Sequence, residues 1–389
     1  MTPAEVDALL PYCTTDRQRE CLEACRDKSQ VAAAKVIGID RRVLDRQIQS
    51  IRKRAALQGY SPAHDMTRTV PDGYKVKGVS SYYNKDGNLT GQWVKSSADA
   101  ERQAQMMAEW IDRLADDVKP LPEICAPKCA DSELLAVIPM GDPHFGMYAW
   151  AEEAGEDFDL DIADRLQRAV IDRLVSLSPH AAECLLINLG DFFHADDSTN
   201  STPASGHALD VDTRFDKIMQ VAEDCMVYCI RRLLEKFETV HFWSMAGNHD
   251  PHCGSPLARI LRAYFRDNPR VKIDVKPGKF NYMRFGKVLI GSTHGDMAKP
   301  QDLPLLMATD KAQDWGLSSF RYWYVGHVHH KTVKEHPGCI VETCRTLAPR
   351  DAWHAGMGYR AGRDMQLIVH HREFGETVRI RCDHSMVTI

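Results

Sequence analysis

The 389-residue sequence lacks any uninterrupted apolar run near the ~18 residues that would suggest a membrane-spanning helix. Its first ten residues have neither the basic segment nor the apolar segment of a secretory signal peptide. It contains no internal repeat and no low-complexity tract. We therefore expect a cytoplasmic protein of two or three domains with no membrane partner.

The sequence also lacks an excess of positive charge and a regular cysteine motif. Its formal net charge is -5, so any contact with DNA has to come from a local basic patch. None of the 12 cysteines forms a CxxC pair, and neither the Cys13–Cys25 cluster nor Cys125 with Cys129 has a histidine at finger spacing. We favour buried or free thiols over a disulfide framework or a structural zinc site.

Residues 16–57 have the apolar spacing of helices. Ser29 is placed to cap one short helix and Asp40 to cap the next, with Gly38 in the turn between them. The second helix carries apolar residues at helical spacing: Val43, Leu44, Ile48 and Ile51. The segment resembles helix-turn-helix DNA-binding domains, and we assign such a domain to residues 1–60.

Charge supports DNA as a partner of this segment. Residues 1–60 hold 11 Lys and Arg against 8 Asp and Glu, a local charge of +3. Four arginines of the second helix are the candidate DNA contacts: Arg41, Arg42, Arg46 and Arg52. The alternative is a helical adaptor whose basic face is solvated or binds protein.

Residues 61–131 have the pattern of a connecting region. Two alternating segments, 74–83 and 89–94, flank an Asp-Gly turn, which predicts a β-hairpin. A helical pattern follows over residues 97–118, and a proline-containing linker leads into the last domain, residues 132–389.

From residue 134 onward, short apolar runs alternate with helical segments, which predicts an α/β domain with buried strands. Five polar segments follow these runs, where ligands commonly bind in such sheets. They are Asp142-Pro143-His144, Gly190-Asp191, Gly247-Asn248-His249-Asp250, His294-Gly295-Asp296 and Gly326-His327-Val328-His329. Together they supply enough nitrogen and oxygen donors for two metal ions.

The five segments resemble the ordered motifs of the calcineurin-like metallophosphoesterase superfamily: D-x-H, G-D, G-N-H-D/E, H-G and G-H-x-H. The resemblance covers about residues 134–380 and implies a four-layer αββα sandwich. It also implies one metal ion on Asp142, His144 and His329, a second on Asn248, His294 and His327, and Asp191 between the two.

The same resemblance implies the chemistry. A hydroxide bridging the metals would attack phosphorus, His249 would act at the leaving oxygen, and Asp250 would orient His249. Manganese is the expected metal, with iron, zinc, cobalt and magnesium as alternatives.

The residues around the motifs indicate which branch of this superfamily the sequence resembles. Asp142–Gly146 resembles the opening motif of SbcD-type DNA repair nucleases, although His194 stands where that branch commonly has an aspartate. We expect His194 to lie behind the metal ligands or to contact substrate. A helix-turn-helix, a ribbon and this domain in one chain also resemble proteins encoded by bacteriophages and prophages.

Two loops, 205–214 and 349–359, mix glycine with basic and aromatic residues, which suits a phosphate backbone or a stacked base. Their candidate substrate contacts are Arg214, Arg350, Trp353 and His354. The alternative is a pair of ordinary surface loops, with Asp210, Asp212 and Arg214 capping a helix.

Three functions remain open from the sequence. The first is a metal-dependent DNA exonuclease or endonuclease, and the second is a phosphatase or nucleotide phosphodiesterase. The third is a DNA-binding regulator in which the metal site is secondary. The helix-turn-helix favours the first and third, whereas the intact ligand set and His249 favour the first and second. A homodimer is an open alternative to a monomer.

Overall fold

The computed structural model describes residues 1–62, 66–67, 70, 74–84, 89–99, 102, 105, 121–203, 205–276 and 278–389. The chain divides into two compact units, Met1–Glu109 and Trp110–Ile389. Most of the helix expected over residues 97–118 lies outside the described residues. Within the described part, no helix is both long enough and apolar enough to cross a membrane.

Four helices open the first unit. They are α1 (Pro3–Leu9), α2 (Asp16–Ala24), α3 (Gln30–Val36) and α4 (Arg41–Leu57). The expected caps are present, because the Ser29 hydroxyl accepts a hydrogen bond from the Ala32 amide and the Asp40 carboxylate accepts one from the Arg42 amide.

The core of these helices is formed by one face of α4. Its buried residues are Leu44, Ile48, Ile51 and Ala55, and they pack with Leu22 of α2 and Ala33 and Ala34 of α3. Val43 was expected on this face, but it is 39% exposed. The buried residues recur at helical spacing from Leu44, and Val43 lies about 100° around the helix from that residue.

Two pairs of strands follow α4. Strands β1 (Tyr60–Ser61) and β2 (Met66–Thr67) pair antiparallel, as do β3 (Tyr74–Tyr83) and β4 (Leu89–Ala98). The second pair is the hairpin that the Asp-Gly turn predicts.

The second unit contains eleven strands in its described residues. They are β5 (Asp131–Met140), β6 (Ala181–Asn188), β7 (Thr239–Ser244), β8 (Val271–Ile273), β9 (Asn281–Phe285), β10 (Val288–Thr293), β11 (Phe320–Val325), β12 (Thr332–His336), β13 (Cys339–Thr343), β14 (Asp364–His371) and β15 (Gly375–Asp383).

Its helices are α5 (Ala151–Ala154), α6 (Leu160–Leu177), α7 (Phe215–Leu234), α8 (Gly254–Tyr264), α9 (Leu303–Asp310), α10 (Ala312–Leu317) and α11 (Ala352–Gly356). Short 3-10 turns occupy Leu10–Tyr12 in the first unit, and Pro300–Asp302 and His384–Met386 in the second.

The strands form two sheets. The six-stranded sheet has the order β15-β14-β5-β6-β7-β8, and β5 to β8 run parallel. The five-stranded sheet has the order β12-β13-β11-β10-β9, with β10, β11 and β13 parallel.

The two sheets pack face to face, and alternate side chains of β5 point into two different cores. Leu135 and Val137 of β5 share one apolar core with Ile290 of β10 and Tyr324 of β11. Their neighbour Ala136 faces the other way, into a core shared with α6, α7 and α8. The outer face of the five-stranded sheet packs on α9. The layers are therefore helix, sheet, sheet and helix, which is the αββα sandwich expected from the sequence.

Candidate metal centre

The polar segments found in the sequence meet at the carboxyl ends of strands from both sheets. Asp142 follows β5 and Asp191 follows β6 in one sheet, whereas His294 follows β10 and His327 follows β11 in the other. Because both sheets end at the same edge of the sandwich, residues far apart in the sequence converge there.

Asp142, His144 and His329 form the first group. Nε2 of His144 lies 3.1 Å from Nε2 of His329, and Nε2 of His329 lies 3.7 Å from Oδ1 of Asp142. Asp142 is fully buried and His144 is 2% exposed. These are three of the donors that the resemblance assigns to one ion.

Asp191, His294 and His327 form the second group. Nε2 of His294 lies 3.3 Å from Oδ2 of Asp191 and 3.0 Å from Oδ1 of Asn248. Nδ1 of His294 lies 3.7 Å from Oδ1 of Asp142, so the two groups adjoin each other.

The spacing of these donors suits metal coordination. Two ligand atoms bound to one ion at about 2.0–2.1 Å, with tetrahedral or octahedral angles, lie about 3.0–3.4 Å apart. The separations of 3.0, 3.1 and 3.3 Å between nitrogen and oxygen donors fall in this range, and the separation of 3.7 Å between His329 and Asp142 is slightly longer. The donor set therefore fits divalent ions, and imidazole with carboxylate suits manganese, iron, zinc or cobalt.

Contacts behind the ligands orient them. Nδ1 of His294 donates a hydrogen bond to the Leu189 carbonyl at 2.9 Å. The lone pair of Nε2 is therefore the one that can bind an ion. Asp142 accepts the His327 amide at 2.8 Å, and the Thr346 hydroxyl donates to the Asp142 carbonyl at 2.6 Å.

Backbone conformation marks the same residues. Among the described residues, seven other than glycine have positive φ, and five of these are expected metal ligands: Asp142, His144, Asp191, His327 and His329. This conformation is unfavourable for residues with a side chain, and such strain concentrates at functional sites. The backbone of these five residues is therefore held in an unfavourable conformation that positions their side chains.

Asp250 holds two of the ligand loops together. Its Oδ1 accepts the amides of Asp191 at 3.1 Å and Gly247 at 2.8 Å, and its Oδ2 accepts those of Phe192 at 2.8 Å and Phe193 at 3.2 Å. A Cβ at Gly247 would lie 2.0 Å from Oδ1 of Asp191, so only glycine fits this close approach.

Asp250 therefore acts on His249 through the loop that carries it and not through a hydrogen bond to its ring. Nδ1 of His249 instead donates to the carbonyl of His194 at 2.8 Å. The buried Asp250 carboxylate already accepts hydrogen bonds from four peptide N–H groups. The acceptor for the His249 ring is a backbone carbonyl instead. Nε2 of His249 is left to face a ligand.

His194 lies behind His144, one of the expected metal ligands. It is 1% exposed, and its Nδ1 lies 3.3 Å from Nδ1 of His144. Because this is the ring nitrogen of His144 that faces away from His329, the contact orients His144. The burial favours this role over direct contact with a substrate. Ring nitrogens of His144, His194 and His249 also lie within 4.8 Å of one another, so they form a third group able to hold an ion.

The carboxylates of the centre have strongly perturbed pKa values. Burial raises the pKa of Asp142 to about 8, against the attraction of His294. Burial also raises the pKa of Asp250 to about 7, and the charge of Asp191 acts in the same direction. Burial opposes the charged form of Asp191 as well, but the neighbouring His294 keeps the pKa of Asp191 below its usual range.

The pKa of His294 is shifted by the same pair of charges. Burial lowers its pKa, but the charges of Asp191 and Asp142 outweigh burial and raise it to about 10. The pKa of His327 is lowered, mainly by burial and then by His294. Without a metal, burial makes the negative charge of Asp142 unfavourable and the positive charge of His294 balances Asp191. A bound cation would supply that balancing charge to both carboxylates.

A cleft of about 360 Å³ opens over the centre. It is lined by Asp191, Asn248, His249, His327 and His329, and by part of each loop predicted to contact substrate. Ser205, His207, Ala208, Leu209 and Asp210 come from the first loop, and Asp351 and Tyr359 come from the second.

The four predicted loop residues are placed differently. Arg350 lines a smaller pocket that also contains His329, and its Nε donates to the Ala154 carbonyl at 2.7 Å. Arg214 is exposed where α7 begins and makes no side-chain cap, so the capping alternative is wrong for that residue. The side chains of Trp353 and His354 lie outside the described part of the structure.

Sequence reasoning missed Asp196. Its side chain is 2% exposed and accepts the amides of His252 at 3.0 Å and Cys253 at 2.9 Å. It ties the loop after Asp191 to the loop after His249. Thr346 was also missed, and no motif singles out either residue.

The four candidate DNA contacts, Arg41, Arg42, Arg46 and Arg52, are all exposed on α4. Nε of Arg41 lies 3.6 Å from Oδ2 of Asp45, and Nε of Arg46 donates to the Arg42 carbonyl at 3.4 Å. Arg42 and Arg46 lie opposite the buried face of the helix, whereas Arg41 and Arg52 lie at its sides, so the basic surface extends around the exposed part of α4.

Comparisons with known proteins give weak similarities only. No family model matches the chain, and no curated protein matches it. An uncharacterized Streptococcus pneumoniae protein described as a predicted phosphoesterase is 12% identical, with 64% of this chain and 98% of that chain covered and a TM-score of 0.24.

Two other solved structures have similarly low sequence identities and TM-scores. Zinc-bound Vps29 of Entamoeba histolytica is 11% identical, with 64% and 99% coverage and a TM-score of 0.28. A 5'-nucleotidase of Candida albicans is 10% identical, with 68% and 54% coverage and a TM-score of 0.30. At such values the chemistry has to be argued from the site itself.

Proposed function

We propose that this chain is a dinuclear-metal-dependent phosphodiesterase that cleaves DNA. The observation that carries the proposal is the convergence of seven donor residues, five of which are connected by separations of 3.0–3.3 Å between ligand atoms. The donors are Asp142, His144, Asp191, Asn248, His294, His327 and His329. When bound, two divalent ions, manganese in our proposal, would supply positive charge at the phosphate and an activated water.

His249 supplies the remaining chemistry. Its Nδ1 donates to the His194 carbonyl, which fixes the ring and leaves Nε2 at the cleft. When the ring is protonated, Nε2 can give a proton to the leaving oxygen of the substrate. Asp250 and Asp196 act by holding the loops that carry His249 and Asn248.

Two exposed surfaces of the first unit support DNA as the substrate. The arginines of α4 form one of them. The β3–β4 hairpin provides the other, because Trp93 is 65% exposed and Tyr82 is 61% exposed. Trp93 pairs with Ser80, two residues from Tyr82, so both rings lie on one face of the hairpin. Exposed aromatic rings of this kind can stack on bases.

A phosphatase or nucleotide phosphodiesterase is the second candidate. The cleft of about 360 Å³ has the size of a small-molecule site, so a nucleotide could be the whole substrate. Under this alternative, the basic helix and the hairpin would serve in assembly with other proteins.

The test is manganese-dependent hydrolysis of end-labelled linear DNA and of closed-circular DNA. We expect cleavage by the wild type and by His180→Ala, which changes an exposed histidine outside the site, and no cleavage by His249→Ala. Comparison of the two DNAs separates exonuclease from endonuclease action. Turnover of a small aryl phosphate ester without any DNA cleavage would move the assignment to the second candidate.

A further inference from the structure

A small pocket opens beside the metal centre. Its volume is about 80 Å³, and since one water needs about 10–15 Å³ by this measure, it has room for one small polyatomic group. His329 and Thr346 form part of its wall, and the pocket shares His329 and Tyr359 with the main cleft. A group bound in the pocket would therefore lie next to a group bound at the metal centre.

The charged lining of this pocket is mostly basic. It consists of Glu156, His329, Arg350, Arg360 and Arg363. The Arg363 guanidinium is paired with the Glu156 carboxylate, so these two charges offset each other. The uncompensated charge of the pocket comes from Arg350 and Arg360.

Both of these arginines are held by backbone carbonyls. Nε of Arg350 donates to Ala154 at 2.7 Å, and Nη1 of Arg360 donates to Tyr359 at 2.7 Å and to Ala355 at 3.2 Å. Neither guanidinium has a carboxylate partner among the described residues. Each keeps donors and a full positive charge for a ligand.

The backbone beside Arg350 makes room for its guanidinium. Gly155 has φ of +90°, and a Cβ at this position would lie 2.6 Å from Nη2 of Arg350. A residue with a side chain here would be strained in its backbone and would push the end of the Arg350 side chain aside.

The geometry points to a second phosphate site, in which Arg350 and Arg360 bind the phosphate next to the scissile one. The inference rests on the proposed phosphodiesterase function and names its substrate class, a chain of consecutive phosphodiesters. Forked guanidinium donors match phosphate oxygens, and the position beside His329 suits a neighbouring phosphate of the same strand. This pocket gives a polynucleotide a contact that an isolated phosphate ester cannot make.

The experiment compares two substrates of the manganese-loaded full chain. Tetrathymidylate has an inner phosphodiester with a phosphate on each side, whereas bis(p-nitrophenyl) phosphate has a single phosphate. The measured quantity is the ratio of kcat/KM for tetrathymidylate to kcat/KM for the aryl ester. We expect Arg360→Gln and Arg350→Gln each to lower this ratio about tenfold, the loss typical of one hydrogen-bonded charge contact.

Two further measurements separate this role from a structural one. The salt dependence of kcat/KM for tetrathymidylate should weaken in Arg360→Gln, because one phosphate contact is lost. Arg360→Lys should recover part of the ratio, since it restores the charge but not the fork. The matched control is Arg262→Gln, an exposed arginine of α8 that lines neither the pocket nor the cleft, and it should keep the wild-type ratio.

The outcomes are distinct. If the wild type hydrolyses both substrates and the kcat/KM ratios of Arg350→Gln and Arg360→Gln stay within twofold of the wild-type ratio, the inference of a second phosphate site is wrong. If the wild type hydrolyses neither substrate, the proposed phosphodiesterase function itself fails.

Discussion

Replacement of Asp250 by asparagine should destabilise the second unit of the chain. The Asp250 carboxylate is fully buried and accepts four peptide N–H groups, two on each oxygen. An asparagine side chain has the same shape but only one acceptor oxygen. In either orientation of the amide, two peptide N–H groups would face an NH₂ group.

The magnitude follows from those two lost contacts. A hydrogen bond to a charged acceptor contributes about 1.5–3 kcal/mol, so the variant should lose roughly 3–6 kcal/mol. For a unit of this size, 1 kcal/mol shifts the midpoint of thermal unfolding by about 2–4 °C. We therefore expect the midpoint to fall by about 6–24 °C.

The assay is thermal unfolding followed by tryptophan fluorescence at a pH well above 7, because burial raises the pKa of Asp250 to about 7 and the carboxylate has to be ionised. EDTA is present so that differences in bound metal do not contribute. Asp267→Asn is the matched control, because that side chain is 69% exposed and its ion pair with Arg266 at 3.6 Å contributes little. A midpoint for Asp250→Asn within about 2 °C of the control would refute the assigned role of Asp250 as the acceptor that joins the two loops.

Three further predictions address the site and the DNA surface. His249→Ala should keep its metal and lose about 10²–10⁴-fold in kcat, as expected for loss of a proton donor; loss of metal, measured by elemental analysis, would overturn that role. Asp191→Asn should lose both metal and activity, because it removes a charged donor 3.3 Å from Nε2 of His294, and retention of both ions would contradict its place between them. Arg41→Ala with Arg46→Ala should weaken DNA binding and lower its salt dependence in a filter-binding titration, while hydrolysis of a small aryl phosphodiester continues. Equal losses in both assays would show that the two units do not act separately.

The sequence predicts which polar residues converge at one edge of the sandwich, because each lies in a segment that follows a strand. Apolar runs that end in Asp142, Asp191 and His294 become buried strands, and the strand ends bring these residues together. The αββα order follows from the resemblance rather than from periodicity, because no apolar pattern shows which strands share a sheet.

Other contacts could not be predicted because they depend on how loops meet. Asp250 and Asp196 accept peptide N–H groups from loops more than fifty residues away in the chain, and no spacing rule links them. The exposure of Val43 has a similar cause, since the buried face of α4 is fixed by the helices packed on it.

The most direct test of the central claim is the number of divalent ions bound per chain. Purified wild-type protein would be equilibrated with Mn²⁺, separated from free metal and analysed for metal and protein content, beside Asp191→Asn. Our account predicts two ions per wild-type chain and a marked loss in the variant, because Asp191 joins both donor groups. A wild-type chain that binds no ion, or a variant that binds as many as the wild type, would contradict it.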